Sequence, residues 1–156
     1  MAALSANTQI SGHPLNTQHT THQFELSQRF YFEAAHTLSR NIDAEGSRQI
    51  HGHTYEAEIT LTGQTEPVSG MVLDLAYLRQ EIERVRALLD HRFLDDIRDL
   101  GPATLENLCL FIKGQLIDAV PQLSTVTVAR HASGDRCTLR LITSLPHRTL
   151  CYAAQA

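Results

Sequence analysis

The chain has 156 residues, enough for one domain with a core of its own. Hydrophobic residues make up 42% and charged residues 19%, and the formal charge is −4 with a pI near 6.1. That balance excludes a strongly basic nucleic-acid surface, and no apolar run is long enough to cross a bilayer, so neither nucleic acid nor membrane is an expected partner.

The start of the chain lacks a basic segment followed by an apolar stretch, and no signal peptide is read there. Cys109, Cys137 and Cys151 are far apart and lack Cys-x-x-Cys spacing. That fits the reduced thiols of a cytoplasmic protein better than a disulfide framework or a zinc finger. Residues 1–23, rich in Thr, Gln, Asn, Ser and His, predict a mobile N-terminal tail, because such a segment cannot offset its ordering entropy. His13, His19 and His22 lie in this tail.

The folded domain is expected over residues 24–142. Phe24, Leu26 and Phe30-Tyr31-Phe32 open a strand that runs to His36. Residues 39–49 are polar and read as a loop. From His53 to Thr62 the residues alternate, with Tyr55, Ala57, Ile59 and Leu61 on one face of an antiparallel strand. Turns follow at 63–67 and near Ser69-Gly70. Asp74 to Leu89 predicts a helix, with Asp74 as N-cap and Leu75, Leu78, Ile82, Val85 and Leu89 (or Leu88) inward. Residues 90–101 read as a loop. A second helix is predicted from about Thr104 to Ala119, with Leu105, Leu108, Ile112 and Leu116 inward and Pro121 closing it. Val126–Ala129 and Cys137–Ile142 make a hairpin across Ser133-Gly134-Asp135. Residues 143–156 form a C-terminal tail in which Leu145, Leu150 and Tyr152 have packing potential. The order ββααββ predicts an α+β domain, an antiparallel sheet with two helices on one face.

Chemistry concentrates on three histidines. His51 and His53 are two apart on a strand, so both project to the same face. The intervening Gly52 is read as allowing close backbone approach. His36 ends the other strand. Three neutral imidazoles without a fourth protein ligand suit a catalytic Zn2+ with an open position, although imidazole accepts other transition metals. The competing reading is one core and one solvent-facing histidine. Asp90-His91 follows the first helix. It reads either as a carboxylate that orients an imidazole for proton transfer or as a histidine stabilised by a helix C-terminus. Thr104-Leu105-Glu106-Asn107 opens the second helix, where a Thr cap and an early acid are ordinary helix chemistry.

Five segments in order resemble the 6-pyruvoyltetrahydropterin and 6-carboxytetrahydropterin synthase family. They are Phe32-Glu33-Ala34-Ala35-His36, His51-Gly52-His53-Thr54-Tyr55, Gly70-Met71-Val72-Leu73-Asp74, Leu89-Asp90-His91-Arg92-Phe93-Leu94 and Thr104-Leu105-Glu106-Asn107-Leu108. The resemblance implies a tunnelling fold (T-fold) and a homo-hexamer built as a dimer of trimers. It implies zinc on His36, His51 and His53, and 7,8-dihydroneopterin triphosphate as substrate. Zinc then holds the substrate's side-chain hydroxyls and acidifies the adjacent positions. A cysteine thiolate serves as base with the Asp90-His91 pair as its proton-transfer partner. Triphosphate is eliminated, and acetaldehyde as well in the 6-carboxy type. A glutamate on the penultimate strand grips the pterin.

Two of these parts differ. The cysteine position, four residues before His51, holds Ser47, whose hydroxyl is a far poorer base than a thiolate. Glu45 is the nearby carboxylate available in its place. The pterin-anchoring glutamate position, after Val126–Ala129, holds Arg130, which prefers a planar anion. Asp135 reads as part of the turn, too far along to substitute. Glu106 and Thr104 match the family's remaining substrate contacts. Two functions follow: a zinc-dependent lyase with an altered substrate site, or a repurposed zinc-binding paralogue that takes an anionic small molecule. A structural protein with incidental histidines is the third and weakest reading.

Overall fold

The structure, a computed structural model, describes residues 22–42 and 44–142. The two predicted tails therefore fall outside the described residues, except for His22 and Gln23. The elements in order are β1 (Phe24–His36), α1 (Ala44–Arg48), β2 (His51–Gly63), α2 (Leu75–Leu89), β3 (Arg92–Phe93), a 3-10 turn (Leu94–Asp96), α3 (Leu105–Leu116), β4 (Leu123–Arg130) and β5 (Asp135–Arg140).

The fold is α+β, and its five strands form one sheet in the order β3-β1-β2-β4-β5. β1 and β2 pair antiparallel along their full lengths, from Phe24 opposite Gly63 to His36 opposite His51. β2 pairs β4 and β4 pairs β5 in the same sense. The sheet departs from the purely antiparallel expectation at one edge, where β3 runs parallel to β1 over two residues. Two other segments read as loops also carry structure. Residues 39–49 contain α1, and residues 90–101 contain β3 and the 3-10 turn. Both are too short for a period of 2 or 3.6 to register in the sequence.

Period-2 alternation decides the two faces of the sheet. Phe30, Phe32 and Ala34 of β1, Tyr55, Ala57, Ile59 and Leu61 of β2, and Val126 and Val128 of β4 turn inward and are buried. Phe32 and Tyr55, cross-strand partners, stack with ring centroids 4.9 Å apart. Against this face pack Leu78, Ile82, Val85 and Leu89 of α2 and Leu108, Cys109, Phe111, Ile112 and Leu116 of α3. Leu89 is the inward residue of the Leu88–Leu89 pair, and Leu88 is exposed.

Both helices start where a side chain can take an orphan backbone N–H. Asp74 Oδ1 accepts from Ala76 N at 2.7 Å, and Thr104 Oγ1 accepts from Asn107 N at 3.2 Å. The β4–β5 hairpin turns over residues 131–134, with Gly134 at φ +76°. Asp135 lies in β5 rather than in the turn, directly opposite Arg130.

The opposite face of the sheet is polar and, among the described residues, carries no helix. Its centre is Glu56, only 4% exposed. Tyr31 Oη donates to its carboxylate at 2.6 Å, and His131 Nε2 lies 3.1 Å away.

Candidate functional site

The end of β1 and the start of β2 are paired through His36 opposite His51 and Ala34 opposite His53. This register, with the alternation that buries Phe32 and Tyr55, places all three imidazoles on the helix-covered face of the sheet. Their ring centroids are 4.5, 5.2 and 4.9 Å apart. One nitrogen from each ring falls within 4.8 Å of the others, the one three-ligand cluster of this kind among the described residues. A tetrahedral zinc with bonds of about 2.1 Å holds its ligands about 3.4 Å apart, so modest ring rotations close the triad on an ion.

The polar groups around the triad fit a metal. Both nitrogens of His36 are buried without a hydrogen-bond partner among the described residues. Buried polar atoms are rarely left so, and a coordinated cation satisfies one of them. His51 Nδ1 lies 2.9 Å from the Gln49 carbonyl and donates to it, which fixes the ring and leaves Nε2 as the ligand atom. Burial is the main cause holding His36 well below its ordinary value, at about 4, with His51 and His53 adding to it. Burial, then the nearby Arg130 cation, also lowers His53. Both shifts keep the imidazoles neutral, the form a metal requires.

Gly52 is not needed for close approach within the chain. A Cβ there meets only the Ala34 carbonyl oxygen, at 3.7 Å, an ordinary contact. Gly52 lines a cleft of about 550 Å³ together with Glu33 to Ala35, His53, Thr54 and His91 to Phe93.

Asp90 and His91 stand at the edge of this cleft. Asp90 Oδ1 accepts from the Glu33 backbone N–H at 2.9 Å, and Oδ2 accepts from Arg86 at 2.7 Å. The Glu33 bond is the leading reason the Asp90 carboxyl lies below its usual range. His91 Nδ1 lies 3.2 Å from Asp90 Oδ1 while the ring is 76% exposed. The carboxylate thus orients an exposed imidazole that lines the cleft. His91 adopts φ +57°, a left-handed conformation just past the end of α2 where glycine is the default. Of the triad only His53 reaches the cleft that His91 lines, and among the described residues no bond joins His91 to the triad.

A second cavity, of about 390 Å³, collects Thr104, Glu106 and Arg130 with Arg40, Asp135 and Arg136. Arg130 Nη1 lies 3.2 Å from His53 Nε2, and Nη2 donates to Asp135 at 2.7 Å. The Asp135 carboxyl is held low first by the Ser133 hydroxyl and then by Arg130. Arg130 therefore links this cavity to the triad. Asp135, dismissed from the sequence as remote, is its direct partner, because the turn is shorter than the sequence suggests. Arg40 and Arg136 had no sequence signal, since lone arginines in a loop and an edge strand look like any solvated charge. Thr104 is committed to capping α3, and Glu106 is exposed in the same first turn.

Ser47 lies on α1 and is buried, with its hydroxyl donating to the Ala44 carbonyl at 3.3 Å, one turn back. Glu45, on the same helix, is exposed.

Known proteins resemble this chain over most of its length. The family described as 6-pyruvoyl tetrahydropterin synthase matches residues 25–140. The chain is 35% identical to 6-pyruvoyl tetrahydrobiopterin synthase of Poecilia reticulata over 104 residues, covering 58% of this chain and 71% of that one. It is 33% identical to dihydroneopterin monophosphate aldolase of Pyrococcus furiosus over 96 residues, covering 62% and 81%. Among solved structures, 6-pyruvoyl tetrahydropterin synthase of Caenorhabditis elegans superimposes with a TM-score of 0.68 at 26% identity, over 77% of this chain and 96% of that one. The helix-backed sheet with three clustered histidines, matched over most of its length by this family, places the chain in the 6-pyruvoyl tetrahydropterin synthase family.

Proposed function

We propose that the protein is a zinc-dependent lyase that acts on dihydroneopterin triphosphate or a related phosphorylated substrate. The observation that carries this reading is the clustered triad, in which both nitrogens of the buried His36 lack a hydrogen-bond partner among the described residues. His36, His51 and His53 would hold the ion, which when bound supplies Lewis acidity and a template for substrate hydroxyls. The chain's own residues supply the rest. Asp90 fixes the His91 ring so that its exposed nitrogen exchanges a proton with substrate in the cleft. Arg130, with Arg40 in the same cavity, binds the substrate's anionic part. Glu45 takes the base role, because the Ser47 hydroxyl is buried and engaged with the helix backbone. A glutamate is described as a catalytic residue in the Plasmodium vivax synthase, a precedent for a carboxylate in such a role.

The test is to load the protein with zinc, add dihydroneopterin triphosphate, and follow triphosphate and acetaldehyde. Release of triphosphate that is lost in His51→Ala, together with stoichiometric zinc, supports the reading. Full zinc retention in His51→Ala refutes the metal site. Arg130 favours a second reading, a repurposed protein that holds the metal and binds an anionic small molecule without turnover. Zinc binding with neither turnover nor pterin binding selects it. Two free cysteines, Cys109 and Cys137, agree with a reducing, cytoplasmic setting. The same reading includes assembly into a dimer of trimers.

A further inference from the structure

Arg130 stands where its hydrogen bond and a metal on the triad exclude each other. A guanidinium has donors only, so in the 3.2 Å contact it is His53 Nε2 that accepts. A neutral imidazole has one in-plane lone pair. If a metal binds His53 at Nε2, it takes the lone pair that Arg130 uses. If it binds at Nδ1, the ring proton moves to Nε2 and faces the guanidinium donor to donor. Either way, the Arg130–His53 bond must break.

The consequence for Arg130 is severe. Its side chain is only 12% exposed, and its Nε already has no partner among the described residues. Loss of His53 leaves two of its three nitrogens without an acceptor, with Asp135 alone holding the third. A buried cation in that state is costly. It also sits beside an incoming dication. An oxyanion in the adjoining cavity relieves both problems, since it accepts from the freed donors and screens the two positive charges. Arg40 lines the same cavity, whereas Arg136, also on its lining, pairs with Glu56 on the opposite face of the sheet at 4.0 Å.

We propose that Arg130 couples metal binding on His36, His51 and His53 to oxyanion binding in the cavity that it shares with Arg40, so that each favours the other. The proposal rests on the triad being a metal site. It makes metal uptake responsive to a phosphate- or carboxylate-bearing ligand, a link that a glutamate in place of Arg130 does not provide. By linkage the coupling is reciprocal, and a factor of about tenfold is typical of such coupling.

The experiment measures zinc affinity by competition with a chromophoric chelator, for the wild type, Arg130→Gln and Arg130→Lys, with sulfate or with perchlorate at equal ionic strength. Sulfate is the oxyanion probe because it ligates metals poorly. Cobalt(II) absorption reports the coordination sphere in parallel, and thermal melts check that each variant is folded. Expected are about tenfold tighter zinc binding in Arg130→Gln without sulfate, and a tightening by sulfate in the wild type that Arg130→Gln lacks. Arg130→Lys, which retains the charge without the fork, keeps part of the sulfate effect. Equal zinc affinity in the wild type and Arg130→Gln overturns the proposal, as does an equal sulfate effect in both. Failure of all three proteins to bind zinc or cobalt overturns the triad reading itself, and this inference with it.

Discussion

His36 shows how a single side chain carries both the site and its liability. It is 1% exposed, with both ring nitrogens unpaired among the described residues. Its pKa falls from an ordinary 6.5 to about 4, chiefly through burial. The unfolded chain therefore binds a proton in a pH window where the native protein does not. Native stability from this residue is complete above about pH 6.5 and declines as pH falls toward about 4. For metal-free protein, thermal melts across that window will show this decline, and His36→Leu will flatten it. Zinc will steepen it, because acid then also expels the ion. Glu56 is the counterpart on the other face. Its carboxylate is lowered first by the Tyr31 hydroxyl, then by His131 and Arg29, so its contribution is present above the usual carboxylate range and lost in acid. Glu56→Gln keeps the shape but removes the charge-assisted bonds, and urea denaturation should show a loss of about 1–3 kcal/mol. A change below a few tenths of a kcal/mol would mean that the cluster has no net stabilising role.

At the scale of elements, caps and strand ends decide where the chemistry sits. β1 and β2 were legible because alternation marks their faces and two histidines fall on the same one. Asp74 and Thr104 were legible as caps because the residue types and the apolar periodicity behind them agree. Thr104→Ala therefore costs about 1 kcal/mol by loss of its bond to Asn107, and Thr104→Ser restores it, as read by thermal melts. If Thr104→Ser restores stability but not substrate binding, Thr104 contacts substrate as well. The end of α2 is the informative exception. His91 occupies a left-handed conformation at a cost of roughly 1–2 kcal/mol relative to glycine. The proton-transfer role proposed above gives a reason for a histidine at such a position. His91→Gly should raise stability by up to about 1 kcal/mol and abolish turnover, and a variant that is both less stable and fully active would contradict the role assigned to it. The short elements α1 and β3 were not legible, because neither completes enough of a period to leave a pattern, yet α1 decides that Ser47 is buried and Glu45 exposed.

For the whole molecule, the sheet presents a polar, helix-free face and an edge strand, β5, whose outer side pairs with nothing among the described residues. A sheet edge of this kind is a natural place for another copy to add its strands. The proposed hexamer predicts a mass of about 104 kDa by light scattering, six times the 17.4 kDa chain. A monomer at that measurement refutes it. No helix among the described residues is long and apolar enough to cross a membrane. By itself the sequence determined the α+β order, the inward faces of the long strands and both long helices, and the three histidines. Each of these is written in local periodicity, in residue type or in short spacing, and survives without knowledge of distant contacts. Only the tertiary structure decided what those residues meet. It paired His36 with His51 across the β1–β2 ladder, set Asp135 against Arg130, engaged Ser47 with its own helix, and brought the Arg130 guanidinium onto His53, 77 positions away. Such meetings depend on strand register and turn length over long sequence separations, and no local pattern encodes them.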